Sequence, residues 1–463
     1  MKEEPNEIEY ILKEEIMKWL LLVAVLVMVG MAVSSGVAFG DSSKKGDLEI
    51  QASVDAPKPP HGITFSVGPD QKLIYPSSAL DLPDEHTTFI PRAPGSGAYL
   101  VFGASTVSGV DMGAGVVVLE TKDLKTFKFA DGYTSPVMSP PLPFTSCKPP
   151  MTGDVCPSGL RQYTYDSEFD LNYAAPGSVV QDPTRDPGNL IMIYEAENHC
   201  PGGCWQHDFY ATVGFARSSD NGKTWPQPVD SEIGGPDRYC ILKGPEDESN
   251  KPIPEGDQRP LGNAIPSAFV DGNYLYVTYV FAGPDADGLI RVARGDLGGS
   301  DPISFSKWYK PALNEPGAFS EPGIWGLDSG VLPPGECTGR QNMSQISYND
   351  VLGVYMMTFV CVFLEDDQPE AAWFFSTATS LDDQDWSPPQ MIEDSQFPVI
   401  AGCAKDGTGN AFDGWYPSFM SPGFAAGHIS RSGRVFFQNG CDRGQRIFMS
   451  RRFTITGPPP ILP

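Results

Sequence analysis

The chain has 463 residues and a formal net charge of −26, with 49 glycines and 45 prolines. So acidic a surface repels nucleic acid and anionic membranes, which excludes both as partners. The acidic residues are scattered through loop-like sequence and read as a solvated surface, and the length suffices for one large repeat domain.

The first segment reads as an export signal. Lys18-Trp19 leads into the apolar run Leu20–Met31, and small residues follow as far as Ala38-Phe39-Gly40, a small-x-small cleavage site before Asp41. The run is too short for a comfortable membrane span. Residues 1–16 carry six Glu and two Lys, unlike the basic start of a signal, so Met17 reads as the initiator. An uncleaved anchor is the alternative, disfavoured by the positive-inside bias. The mature protein is expected to be secreted or periplasmic. Residues 41–62 are polar and proline-rich and read as a linker, 63–456 as the folded domain, and 457–463 as a tail. All nine cysteines follow the signal, and export makes disulfides the expectation. Cys361, inside the apolar run 355–363, reads as a buried free thiol. Cys147 with Cys156, Cys200 with Cys204 and Cys403 with Cys441 are pairings suggested by proximity or loop position, since connectivity does not follow from sequence.

Beyond residue 63 a unit recurs at very roughly 70–80 residues, and a long chain of similar units is the signature of a β-propeller. Each unit has short, aromatic, alternating strands separated by Gly or Asp-Gly turns, and no long stretch has helical periodicity. The first runs through Ala98–Phe102 and Gly115–Glu120. The second uses Gly177–Val180, Leu190–Tyr194 and Tyr210–Arg217. The third has Ala268–Val270, Tyr274–Tyr279 and Leu289–Arg294, the fourth Ser344–Tyr348, Gly353–Met357 and Ala372–Ser376. The fifth has Tyr416–Met420, Arg434–Phe437 and Arg446–Ser450. Five such sheets predict an all-β fold, a five-bladed β-propeller, with six blades or a pair of β-sandwiches as alternatives. The last unit lacks an outer strand, which Ile63–Val67 or Lys72–Tyr75 is able to supply.

Ser218-Ser219-Asp220-Asn221-Gly222-Lys223-Thr224-Trp225 reads S-x-D-x-G-x-x-W directly after the strand-like run Tyr210–Arg217. Asp220 is placed to accept backbone amides, Gly222 to take φ > 0 at the tip, and Trp225 to fold back as an apolar plug. The segment resembles the Asp-box of sialidases and related β-propellers, and Thr121–Phe127 and Ser380–Trp386 look like weaker copies. Over residues 63–456 the chain is similar to sialidase-like and arabinanase-like carbohydrate-active propellers. The resemblance implies a ligand over the central channel. There the lead-in to each inner strand and the loop between second and third strands line the site, on the face away from the Asp-box.

On that face the resemblance points to Asp170, Glu195, Glu197, Tyr416 and Asp413 as candidate catalytic groups. It points to His86, Trp205, Arg259, Asn263, Arg340, Asn342 and Arg443 as candidate substrate contacts. Glycoside hydrolysis uses two carboxyls across the scissile bond. Arabinanase-like enzymes carry one acid on each of the first three inner strands, and the third position falls here at Asn263-Ala264-Ile265-Pro266, without an acid. Sialidases use three arginines for the substrate carboxylate, for which Arg259, Arg340 and Arg443 stand, and a Tyr–Glu pair, for which Tyr416 stands beside Glu195 or Glu197. His199, Cys200, Cys204 and His207 have metal-compatible identities, but Cys-x3-Cys in an exported chain reads as a disulfide loop. Asp182–Asn189 lacks the calcium-loop spacing. No metal site is therefore expected, with calcium the one cofactor left open. The expectation is a monomeric, exported, carbohydrate- or glycoconjugate-directed propeller, a glycoside hydrolase of sialidase-like type. The alternative is a non-catalytic propeller that binds glycan or protein.

Overall fold

A computed structural model describes residues 62–80, 82, 84–93, 95–107, 115–140, 169–170, 173–198, 209–226, 234–235, 237–244, 261–282, 287–299, 302–312, 315–363, 370–397, 413–440 and 446–458. Among them every regular element is a β-strand, and no helix is long and apolar enough to cross a membrane.

Glycine and Asx turns break the chain into antiparallel sheets of four strands, five in succession. Blade one is Thr88–Pro91, Tyr99–Val107, Gly115–Thr121 and Lys128–Phe129. Blade two is Tyr173–Gln181, Leu190–Asn198, Tyr210–Ser218 and Arg238–Leu242. Blade three is Leu261–Asp271, Tyr274–Ala282, Ile290–Asp296 and Phe305–Tyr309, with Ala318–Pro322 added as a fifth strand. Blade four is Arg340–Asn349, Val354–Phe363, Glu370–Ala378 and Gln390–Phe397. Blade five is Trp415–Met420, Ser432–Asn439 and Ile447–Thr456. Its outer strand is Thr64–Val67, paired Thr64 with Thr456 through Val67 with Phe453. This is a five-bladed β-propeller, closed by pairing the N-terminal side of the domain with the C-terminal side.

Because strands such as Gly115–Thr121 and Tyr210–Ser218 bury both faces, alternate residues feed alternate seams. One large apolar cluster fills each seam: Leu100, Val118 and Met192 between blades one and two; Ile193, Phe215 and Val277 between two and three; Tyr276, Val292 and Phe359 between three and four. Trp373, Phe419 and Phe437 fill the seam between four and five, and Phe89, Phe127 and Phe436 that between five and one.

The inner strands are also stitched by a repeated polar contact. Val179 N donates to Thr88 Oγ1 (3.0 Å), Ala268 N to Ser178 Oγ (2.9 Å), Phe419 N to Gln345 Oε1 (2.7 Å) and Thr87 N to Ser418 Oγ (2.9 Å). Between blades three and four Thr278 Oγ1 donates to Ser344 O (3.2 Å). Three of these amides, those of Val179, Ala268 and Phe419, follow bulges between Pro176 and Ser178, Ala264 and Ser267, and Trp415 and Ser418.

Cys361 is not the free thiol its apolar surroundings suggest. It bonds to Cys337, 24 residues earlier on the approach to the same blade, with Cα atoms 5.9 Å apart. An apolar strand hides a disulfide as readily as a thiol, and the partner lies in a proline-rich loop with no pattern of its own. Cys240 is the free, buried cysteine of the described residues. Cys147, Cys156, Cys200, Cys204, Cys403 and Cys441 lie outside the described residues, as do the signal and linker segments.

Candidate active site

Glu195 and Glu197 alternate with Tyr194 and Ala196 along the second strand of blade two. Tyr194 and Ala196 enter the core shared with blade one, so the two glutamates share the opposite face with Ile191 and Ile193, toward blade three. Cross-strand register shows how unusual this is. Glu195 pairs with Ala175 at the place where Val280 pairs with Ala264, Val360 with Asn342 and Gln438 with Trp415. Both valines are core residues. A carboxyl at such a position costs several kcal/mol of desolvation, a local violation of packing of the kind reserved for function.

Ile265 meets Glu195 from blade three. It sits on the inner-strand bulge with φ 52°, matched by Met343 (52°) and Tyr416 (53°) on blades four and five. Left-handed backbone is strained for a β-branched residue. Here it turns the Ile265 amide toward Glu195 Oε2 at 2.5 Å. Glu85 reaches Glu195 from the lead-in to the first inner strand, and Glu195 is also hydrogen bonded to Glu197. The result is a row, Glu85–Glu195–Glu197, contributed by two blades, with exposures of 2%, 3% and 7%.

Burial, then the charge and hydrogen bond of Glu195, hold the Glu85 carboxyl well above its usual range. Burial and the Glu197 charge do the same to Glu195, and burial pushes Glu197 to about 8. Glu197 therefore retains its proton at neutral pH, as a general acid must. Tyr173, buried beside all three glutamates and near Tyr416, donates its hydroxyl to Asp84 O (3.1 Å), and burial raises its phenol. His86 shares a hydrogen bond between Nδ1 and Pro417 O (3.1 Å) and packs edge-on to Tyr416 at 6.2 Å. Burial lowers the His86 imidazole to about 4, so it is neutral. With Nδ1–H as the donor, Nε2 is a buried acceptor with no partner among the described residues. The side-chain amides of Asn263 and Gln438, both fully buried, likewise have neither end bonded.

The structure thus brings Glu195, Glu197, Tyr416 and His86 together near the start of the inner strands, with Asn263 on the adjoining strand two residues before Ile265. Asp170 is elsewhere: it is buried on the blade-one side, bonded to Arg238 Nε (2.8 Å) and Tyr194 Oη (2.9 Å), and serves the scaffold. Asp413 accepts Gly440 N (2.8 Å), and partial burial raises its carboxyl. Asn342 accepts the amide of Met343 (2.9 Å). Arg340 is exposed at the start of its strand. Arg259, Arg443 and Trp205 lie outside the described residues. Glu85 was recognisable only as one of three polar residues before the first inner strand, and Tyr173 and Gln438 carry no sequence signal beyond strand position. Among the described residues no group of His, Cys, Asp and Glu has the arrangement of a metal centre.

The turn at 218–225 sits at the opposite end of blade two. Ser218 Oγ donates to Asp220 Oδ1 (2.7 Å), Thr224 N to Asp220 Oδ1 (3.0 Å) and Trp225 Nε1 to Gly222 O (3.1 Å). Asp123 accepts Lys125 N and Thr126 N at 2.9 and 2.7 Å in the corresponding turn of blade one. In blade four Asp382 accepts Tyr276 Oη and Arg294 instead, both at 2.6 Å.

No protein-family profile matches this chain, and no curated protein matches it. Several solved structures share its outline. The catalytic domain of a Coprinopsis cinerea GH62 α-L-arabinofuranosidase aligns over 85% of this chain and 97% of its own, at 14% identity and TM-score 0.43. An F. plautii N-acetylgalactosamine deacetylase aligns over 84% and 95%, at 13% identity and TM-score 0.46. A Bombyx mori GH32 β-fructofuranosidase aligns over 87% and 66%, at 9% identity and TM-score 0.41.

Proposed function

We propose that the protein is a carbohydrate-active propeller, a glycoside hydrolase working at the channel end that carries Glu85, Glu195 and Glu197. One observation carries this reading: three buried, hydrogen-bonded glutamates from two blades, one of them at a position that is core valine in two other blades. In this reading a protonated carboxyl of the row gives its proton to the leaving-group oxygen. A second, ionised, takes the proton of water or attacks the anomeric carbon. Ile265 N–H favours the ionised form of Glu195, which makes Glu195 the candidate base or nucleophile.

The sialidase-like subtype rests on the turn at Ser218–Trp225, and a row of carboxyls is a poor receptor for an anionic sugar. Export is supported by the Cys337–Cys361 disulfide. The test is turnover of a panel of chromogenic glycosides by the purified protein. Activity on one sugar that is lost in Glu195→Gln, while folding is kept, establishes the reading. Absence of turnover across arabinosides, xylosides, galactosides, fructosides, sialosides and amino-sugar glycosides leaves the non-catalytic glycan-binding propeller.

A further inference from the structure

The row of glutamates poses an electrostatic question that hydrolysis by itself does not answer. Glu85 and Glu195 are hydrogen bonded to each other and form no ion pair among the described residues. Three consecutive residues carry buried polar atoms without a partner among the described residues: Glu85 Oε2, His86 Nε2 and the Thr87 hydroxyl Oγ1. With His86 Nδ1 engaged by Pro417 O, its other ring nitrogen offers only a lone pair. A buried acceptor left unmatched costs about 1–3 kcal/mol, more beside a charge. What this arc lacks is a compact group with several N–H donors and a positive charge. The Tyr416 ring beside His86 adds a π face of the kind that favours cations. The unbonded amides of Asn263 and Gln438 can both donate and accept, which matches sugar hydroxyls. Gln438 alternates with Phe437 of the blade-four seam, so it lies on the blade-one side with Phe436.

We propose that the channel end binds an amino sugar with an unsubstituted ammonium group, the ammonium lying against Glu85, Glu195 and His86 and the hydroxyls against Asn263 and Gln438. This rests on the glycoside-hydrolase reading for the reaction but not for the binding. An ammonium so placed also lets one carboxyl of the row ionise at neutral pH, and so supplies the base that hydrolysis requires.

Isothermal titration of the purified protein at pH 7 with D-glucosamine and D-galactosamine tests it, against their N-acetyl forms and against glucose and galactose. The expected result is at least tenfold tighter binding of one free amine than of its N-acetyl and hydroxyl counterparts, lost in Glu195→Gln. Should that variant not fold, Asn263→Ala is expected to weaken the amine and the hydroxyl sugar together while keeping the preference for the amine. Equal or weaker binding of the amines, or no binding of any sugar, overturns the inference. So does calcium chloride binding that a chelator reverses and that excludes the amines. Amine binding without turnover of any glycoside would sink the hydrolase reading and leave this one standing. Turnover of a neutral glycoside that glucosamine and galactosamine do not inhibit would do the reverse.

Discussion

Tyr194 and Glu195 are neighbours on one strand and face opposite seams, and their surroundings differ in kind. On the Tyr194 side, Asp170 is matched by Arg238, whose remaining donors reach Pro226 O (3.2 Å) and Ser139 O (3.3 Å). Charge and hydrogen bonds close there. On the Glu195 side two carboxyls are bonded to each other with no counter-charge among the described residues, and buried polar atoms of Glu85, His86 and Thr87 have no partner among them. Both regions are equally buried, so burial does not separate scaffold from site. Their partners do: Asp170 is matched by Arg238 within the scaffold, whereas Glu85 and Glu195 face each other and are held well above the usual carboxylate range.

The sharpest way to break this contrast is to remove one acid from each side. Asp170→Asn leaves Arg238 buried without its counter-charge and is expected to cost about 3–5 kcal/mol, read as a lower urea midpoint. Glu195→Gln is expected to reduce turnover by about 10²–10⁴-fold while leaving the urea midpoint unchanged or higher. If Glu195→Gln destabilises as much as Asp170→Asn, the distinction collapses.

A smaller effect sharpens the contrast through pH. Glu197 titrates near 8 in the fold, above the carboxylate range of the unfolded chain, so the unfolded state loses its proton first. Its contribution to stability is present at acid pH and is lost as pH rises through about 8, at up to about 1.4 kcal/mol per unit. Lys307 behaves oppositely. Fully buried, with Nζ donating to Lys243 O (2.9 Å) and Gly326 O (3.0 Å), it is lowered to about 8 by burial. Its destabilising charge is present below that pH, and stability recovers as pH climbs from about 8 toward the ordinary lysine range. Urea midpoints measured from pH 5 to 10 should pass through a minimum near 8. Glu197→Gln should flatten the acid limb and Lys307→Met the alkaline one. The smallest expected effect is Ser178→Ala, which removes one inter-blade contact to Ala268 N and should cost about 1 kcal/mol, visible as a small shift in thermal midpoint.

Much of the architecture was legible because the propeller writes itself locally. Strand alternation, Asp-Gly turns such as Asp271-Gly272 and the repeated turn before Trp225 all act within a few residues. The fifth strand Ala318–Pro322 was not legible: its Gly-Ala-Phe-Ser-Glu-Pro sequence has no strand pattern apart from the neighbour it pairs with. Cys337–Cys361 was missed for the same reason, since pairing is a property of the folded blade. The site divides similarly. Glu195 and Glu197 announce themselves by alternation at the end of an apolar strand. Glu85 joins them only because the ring brings blade one against blade two, a juxtaposition across about a hundred residues that no local rule encodes. Asp170 looked like a candidate from its position before an inner strand, and Arg238, 68 residues away, decides otherwise.

The pairing of Thr64–Val67 with Ile447–Thr456 also sets the order of assembly. The strand that completes the last blade is synthesised first and waits for nearly the whole domain before it has a partner. Until then Thr64–Val67 has its edge open, and the Phe65 side chain that packs against Phe375, Phe419 and Phe453 is exposed. The nascent chain therefore carries an adhesive edge and an unattached aromatic plug through most of its production, a window in which a second copy competes for the same strand. Closure ends that competition and joins five separately growing seams into one cooperative unit.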